Sequence, residues 1–431
     1  MFHNPIGNLS QKDWVINMKR KAICVLLTSA LTAALLAGCG SSGNSSGSSA
    51  PSADTAEAVE TAETTKTEEA PAENSGTTQA EDNAVVLGAD DTSKLKAYDF
   101  DLSVLGDTPA TKLDDAVKDG DFVVALSDSF SGNSWRQQFE KEFEAAAEKY
   151  KQEGYISDYV ILDAGGDQTK QVSDIEDLIT QGVDAIVVDA ITDVALNDVL
   201  QEAQDAGILV LNCDNLVTTD VTSKIIVSDY DFGYTGGSWL GEQLGGKGGK
   251  VVVLDGTAGS STDTNRHNGM VDGLKASDPS AEIVAQQNAD WDYATASTAM
   301  GTILSANPEI DGVLSQGGAM TMAAIDAFVA ADRKLVPMTG EASNGFLRMW
   351  SEYKDQGFSS IAFANPPFQS VMCLNLAINK LNGVEIAPTY QLNIPSITDD
   401  MIDGLYDSDL SDSFWVFSTL SEDQVKELFA E

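Results

Sequence analysis

YVILDAGGDQTKQVSDIEDLITQGVDAIVVDA, residues 159–190, decides the architecture. Its ends, YVILDA (159–164) and AIVVDA (185–190), are short apolar runs rich in Val and Ile, as expected of strands buried on both faces. Between them Val172, Ile175 and Ile179 recur at helical spacing. Strand, amphipathic helix, strand is the unit from which parallel sheets covered on both faces are built.

The same unit repeats in both directions. Upstream, FVVAL (122–126) precedes a helix carrying Trp135, Phe139, Phe143, Ala147 and Tyr150. Downstream come ILVLNC (208–213), IIVS (225–228), VVVLDG (251–256), EIVAQQ (282–287), GVLSQ (312–316), LVPMTG (335–340) and SIAFA (360–364), separated by helical patterns. About ten such units exceed one compact sheet, so the expected fold class is α/β, with two hinged, Rossmann-like lobes of parallel strands.

Composition removes several functions. There are 67 acidic against 25 basic residues, a formal charge of −42. A phosphate backbone is gripped by Lys and Arg displacing counterions, and the longest basic run is Lys19-Arg20-Lys21, so no nucleic acid is expected. His3 and His267 are the only histidines, which leaves most zinc sites and Ser-His-Asp triads without their parts. No metal, cofactor or catalytic residue is expected. Carboxylate-only chemistry, such as a glycosidase's, stays open because it needs only two Asp or Glu.

The N-terminal region reads as an address. Residues 18–39, MKRKAICVLLTSALTAALLAGC, combine a basic start with an apolar run from Ala22 to Ala37, too short to span a bilayer and laid out like an export signal. Leu36-Ala37-Gly38-Cys39 resembles the bacterial lipobox, which implies lipidation of Cys39 and anchoring to the outer face of the cell membrane. Met18 is read as the natural start, with 1–17 a mis-called extension and 18–38 the signal peptide. Residues 39–92 are Ser-, Thr- and Ala-rich with scattered acids, the composition of a disordered tether. Of the four cysteines, Cys213 and Cys373 remain in the folded part and are expected as buried free thiols.

Ligands on open parallel sheets bind beyond the carboxyl ends of the strands. The residues there include Ser127 to Arg136, Asp214-Asn215, Thr257 to Arg266, and Ala289-Asp290-Trp291. Two Trp, two Arg, an Asp and an Asn suit a small polyhydroxylated ligand, since aromatic faces cover C–H surfaces and planar polar groups bond adjacent hydroxyls.

GNSWRQQF (132–139), LITQGVDAIVVDAIT (178–192), AGILVLNCDN (206–215) and DGTAGSSTDTNRHNGM (255–270) resemble the type I periplasmic sugar-binding proteins of ABC transporters, closest to their galactofuranose-binding branch. The likeness covers about residues 119–396. It implies a first wall of Asn133, Trp135 and Arg136, with Asp214 on ligand hydroxyls. Arg266 and Trp291 would face them from the second lobe, and Asn365, in the Asn365-Pro366-Pro367 turn, would add another contact. Two departures stand out: Gly317-Gly318 where relatives have Asn-Asp, and Gly340-Glu341-Ala342 where they have Gly-x-Asp. Gln316 and Glu341 are the expected substitutes, and His267 is read as a solvated helix residue.

The family fold crosses between lobes three times, which implies lobe 1 at 119–223 with 364–394 and lobe 2 at 224–363 with 395–431. The implied protein is a monomeric, membrane-tethered lipoprotein that captures a monosaccharide and delivers it to an ABC permease, without catalysis. A receptor that presents a sugar or furanosyl signal to a sensor kinase is the alternative within this fold. A carboxylate-dependent glycosidase is the alternative of another class.

Overall fold

The computed structural model describes residues 84–89 and 92–429. The basic export segment, Cys39 and most of the expected tether lie outside the described residues. Twelve strands among the described residues form two all-parallel sheets. The first has β1 (Val85–Gly88), β2 (Val123–Asp128), β3 (Asp158–Asp163), β4 (Ala185–Val188), β5 (Leu209–Cys213), β6 (Ser223–Val227) and β12 (Thr389–Asn393), in the order β1-β12-β6-β5-β4-β2-β3. The second has β7 (Lys250–Asp255), β8 (Glu282–Asn288), β9 (Gly312–Ser315), β10 (Met338–Glu341) and β11 (Ser360–Phe363), in the order β11-β10-β9-β7-β8.

Helices α1 (Ser134–Glu153), α2 (Gln168–Gln181), α3 (Asn197–Asp205) and α9 (Gln369–Leu381) pack on the first sheet. Helices α4 (Asp229–Leu244), α5 (Ser261–Ser277), α6 (Tyr293–Ala306), α7 (Gly318–Ala330) and α8 (Asn344–Tyr353) belong with the second. Central strands such as β4 and β9 are buried at every position, as parallel strands covered on both faces must be. Most long helices start on a side chain that caps free N–H groups: Asn133, Asp167, Ser228, Ser260, Asp292 and Ser343. These caps sit at the strand-to-helix turns, so they also fix the rim where ligands bind in such sheets.

Three expectations need correction. The tether does not run to residue 92, because Val85–Gly88 pairs with β12 and Leu87 is buried; three apolar residues suffice for an edge strand once a partner edge is offered. Strand β6 lies in the first sheet, so the first crossing follows it at Ser228 rather than at 223/224. The chain also crosses four times, not three. Crossings follow β6, β11 and β12, and the last segment, having paired Ile397 with Ala362 and Val416 with Ala342 on the second lobe, returns to the first. There Ser418 N donates to Ala97 O and Phe100 N donates to Ser418 O. Residues 395–429 therefore serve both lobes. Cys213 and Cys373 are free and buried. No helix among the described residues is long and apolar enough to cross a membrane.

Candidate functional site

The cleft between the carboxyl ends of the two sheets is lined by Asn133, Ser134, Trp135, Arg136, Asp214, Thr262, Arg266, Trp291, Glu341, Asn365 and Trp415. Eight of the nine expected residues converge there. A larger cavity of ≈ 240 Å³ at the hinge, between Ser228 and Asn393, has no comparable gathering of charged and aromatic groups.

On the first lobe, Asn133 caps α1 by accepting from Arg136 N at 2.8 Å. That cap starts the helix so that Trp135 and Arg136 project over the strand ends. Trp135 is both core and wall: its ring stacks on Phe139 at 5.4 Å, and its Nε1 donates to Asn365 O at 2.6 Å. Arg136 is buried against carboxylates, with Nη1 2.6 Å from Asp189 Oδ2 and Nη2 2.8 Å from Asp214 Oδ2. Burial alone would lower its pKa, but Asp189, Asp214 and Asp128 together raise it above the ordinary arginine value. Burial drives the Asp128 carboxyl well above the usual range against the pull of Arg136.

Asp214 sits in the left-handed region at φ 58°, a conformation that Asp tolerates better than most residues. Its second oxygen accepts from Asn365 Nδ2 at 2.7 Å, and Gln369 Nε2 in turn donates to Asn365 Oδ1. Asp214 is thus fixed from both sides, by an arginine and by the second crossing.

The second wall is built on Arg266, 1% exposed. Nε donates to Asp229 Oδ1 at 2.9 Å; Nη1 donates to Gln316 O and to Glu341 Oε1 at 2.9 and 3.1 Å. Its guanidinium lies 4.1 Å from the Phe232 ring centroid. Burial raises the Glu341 carboxyl to about 7 and that of Asp229 to about 6, against the attraction of Arg266. Arg266 Nη2 and Trp291 Nε1 are buried and find no hydrogen-bond partner among the described residues.

Trp291 also accounts for the departure at Gly317-Gly318. A Cβ at Gly317 would fall 2.8 Å from Trp291 Cδ1, and one at Gly256 only 2.1 Å from the indole. The indole occupies the space a polar side chain would need. Gly318 faces Glu341 O, 2.4 Å from where its Cβ would be, so nothing larger fits there either.

Gln316 is the expected residue that does not line the cleft. Its Nε2 donates to Asp255 Oδ1 and to Asp263, and its Oε1 accepts from Gly256 N, all behind the wall. Only its backbone carbonyl reaches Arg266. His267 is not solvated either: it is half-buried, and Nδ1 lies 3.0 Å from Asp255 Oδ1, a bond that raises its pKa. Sequence reasoning placed Asp128, Ser134 and Thr262 in the stretches at the strand ends without naming them as contacts, and it missed Trp415 on the cleft and Asp189 behind Arg136. Asp189 had a signal, an acid just after a strand's carboxyl end. Trp415 had none, since its segment carries no period.

The profile of the family described as periplasmic binding protein domain matches residues 124–385, more than half of the chain. The ribose import binding protein of Bacillus subtilis (strain 168) is 26% identical over 270 residues, covering 62% of this chain and 85% of that protein. A galactofuranose-binding protein of known structure superposes with a TM-score of 0.59 at 22% identity, over 65% of this chain and 96% of the other. The fructose-binding periplasmic domain of a hybrid two-component system gives 0.58 at 24% identity, over 65% and 92%. With two parallel-sheet lobes, a cleft between them and this match, the chain belongs to the periplasmic binding protein family and has its type I fold.

Proposed function

We propose that this protein captures a neutral monosaccharide in the cleft and passes it to an ABC transporter permease, without catalysing a reaction. The observation that carries this reading is the pair of buried donors unpartnered among the described residues, Arg266 Nη2 and Trp291 Nε1, on residues that line one cleft with Asp214 and Trp135. Buried donors left unsatisfied cost about 1–3 kcal/mol each, and a ligand hydroxyl supplies the missing acceptor while its own hydrogen goes to a carboxylate. Aromatic rings cover the C–H faces of a sugar ring.

Charge favours a neutral ligand. Arg136 is compensated by Asp189 and Asp214, and Arg266 by Asp229 and Glu341. With both guanidinium groups already paired to carboxylates, a uronate or sugar phosphate would find no free cation to receive it. The glycosidase reading loses ground for the same reason: Asp214 and Glu341, the carboxylates on the cleft, are both tied to arginines. The basic and apolar segment ending at Cys39 supports delivery to the outer face of the membrane with a lipid anchor. A receptor role upstream of a sensor kinase is the second reading, favoured by the likeness to the fructose-binding domain of a two-component system.

A thermal-shift panel of D-ribose, D-galactose, L-arabinose, D-fructose and D-galacturonate tests the reading. A ligand at a hundred times its Kd adds about 2.7 kcal/mol, so a neutral sugar should raise the melting temperature clearly while galacturonate does not. If no sugar acts and another class of solute does, the monosaccharide reading is wrong.

A further inference from the structure

Residues 406–420 lie beyond the family match at 124–385, yet they bring Trp415 into the cleft. On the second lobe Asn344 holds this segment: Nδ2 donates to Asp407 O and Leu410 O at 2.9 and 2.8 Å, and its backbone N donates to Phe414 O. Arg348 grips both oxygens of Asp412 at 2.8 Å. On the first lobe Gln138 pairs with the Trp415 backbone in both directions, Nε2 to O at 2.9 Å and N to Oε1 at 2.8 Å. Trp415 Nε1 donates to Ser134 Oγ, and Glu142 accepts from Ser418 Oγ and Thr419 N.

The spacing of these anchors matters more than their number. Trp415 is bonded to Gln138 of the first lobe, and its neighbour Val416 to Ala342 of the second. Consecutive Cα atoms are about 3.8 Å apart and cannot separate. Two lobes joined only by hinge strands can rotate apart freely, but these lobes are stitched across the cleft itself. Opening by more than a bond's slack must break the first-lobe set or the second-lobe set. Phe417, where the segment crosses, is fully buried at φ 62°, so the crossing itself is packed and strained rather than loose.

We propose that residues 406–420 are a latch: a fourth crossing that supplies Trp415 as a wall of the ligand cleft and must release one lobe before the cleft opens. The wall role rests on the reading of the cleft as a ligand site; the latch does not, and its test uses no ligand.

The experiment measures inter-lobe distances by paired spin labels on the full chain, placed by Glu202→Cys and Thr298→Cys, both exposed positions on opposite lobes. Cys24 and Cys39 are replaced by Ser, and the buried Cys213 and Cys373 escape labelling. The intact latch should give one narrow distribution. Gln138→Ala, and separately Asn344→Ala with Arg348→Ala, should each add a longer-distance population, with folding checked by circular dichroism. A broad distribution in the intact latch, or a folded variant that superimposes on it, overturns the proposal. Hydrogen exchange on the unsubstituted chain gives a reading that no variant can spoil. The amides of Trp415 and Val416 should exchange as slowly as those of Phe139 and Phe143, and rapid exchange at either overturns the latch.

Discussion

Arg266 Nε meets Asp229 Oδ1 at 2.9 Å because α4 and α5 touch backbone to backbone. Gly233 and Gly237 on α4, and Gly269 and Gly273 on α5, make that contact; a Cβ at Gly233 would lie 2.1 Å from Arg266 O. The glycines therefore belong to the site although none lines it. Gly233→Ala should cost about 3 kcal/mol by overpacking and lower sugar affinity by moving Arg266. Gly301→Ala, on an exposed helix face with nothing within 4 Å of the new Cβ, should instead stabilise by about 0.5–1 kcal/mol. Urea unfolding of the two variants checks the contrast, and equal effects would remove the close-contact argument.

Trp291→Phe should separate stability from binding. The indole N–H is buried without a partner among the described residues, so deleting it relieves a cost in the free protein and offsets the smaller ring. Unfolding free energy should stay within about 1 kcal/mol of the parent, while affinity for the sugar found by the panel falls about tenfold, the loss of about 1.4 kcal/mol. Calorimetric titration and melting, run on the same preparation, read both numbers.

Gln316→Ala should do the opposite. Its side chain donates to Asp255 and Asp263 and accepts from Gly256 N, and although each of these keeps another partner, Ala removes those buried bonds at a cost of about 2 kcal/mol in all. The carbonyl that holds Arg266 is backbone and survives the substitution. A lower melting point with affinity changed less than about threefold is expected, and a large loss of affinity at unchanged stability would return Gln316 to the cleft.

The contrast between Trp291 and Gln316 marks what a linear reading can reach. Strands such as AIVV (185–188) are legible because burial on both faces demands an unbroken apolar run. Residues after strand ends are legible as a set because the topology sends them to one rim. Which way each side chain turns is decided by neighbours far along the chain, as Asp255 and Asp263 decide for Gln316. Strand β12, TYQLN, hides because its apolar and polar residues are mixed, and β1 hides inside a low-complexity stretch until β12 offers it an edge. Trp415 reaches the cleft through a crossing that no periodicity announces.

Acidification should stabilise this protein over the range from about pH 8 to about pH 5. Glu341 is raised to about 7 and Asp229 to about 6, both chiefly by burial. His267 is raised by its bond to Asp255. A group whose folded pKa lies above its unfolded value contributes stability that is full below the unfolded pKa, roughly 4 for these carboxyls, and lost as pH rises through the folded one. For Glu341 the shift amounts to about 3 kcal/mol. Carboxyls displaced the other way, such as Asp101 and Asp278, lose their contribution only as pH falls towards about 4 and below, outside this window. Glu341→Gln keeps an oxygen for Arg266 and removes the larger of the two titrations, since between about pH 8 and about pH 5 Glu341 acts over about two pH units and Asp229 over about one, so the rise in melting temperature across that range should shrink clearly. Melting curves at half-unit steps of pH check this, and an unchanged slope in Glu341→Gln would assign the effect to Asp229 and the carboxylates around Arg136 instead.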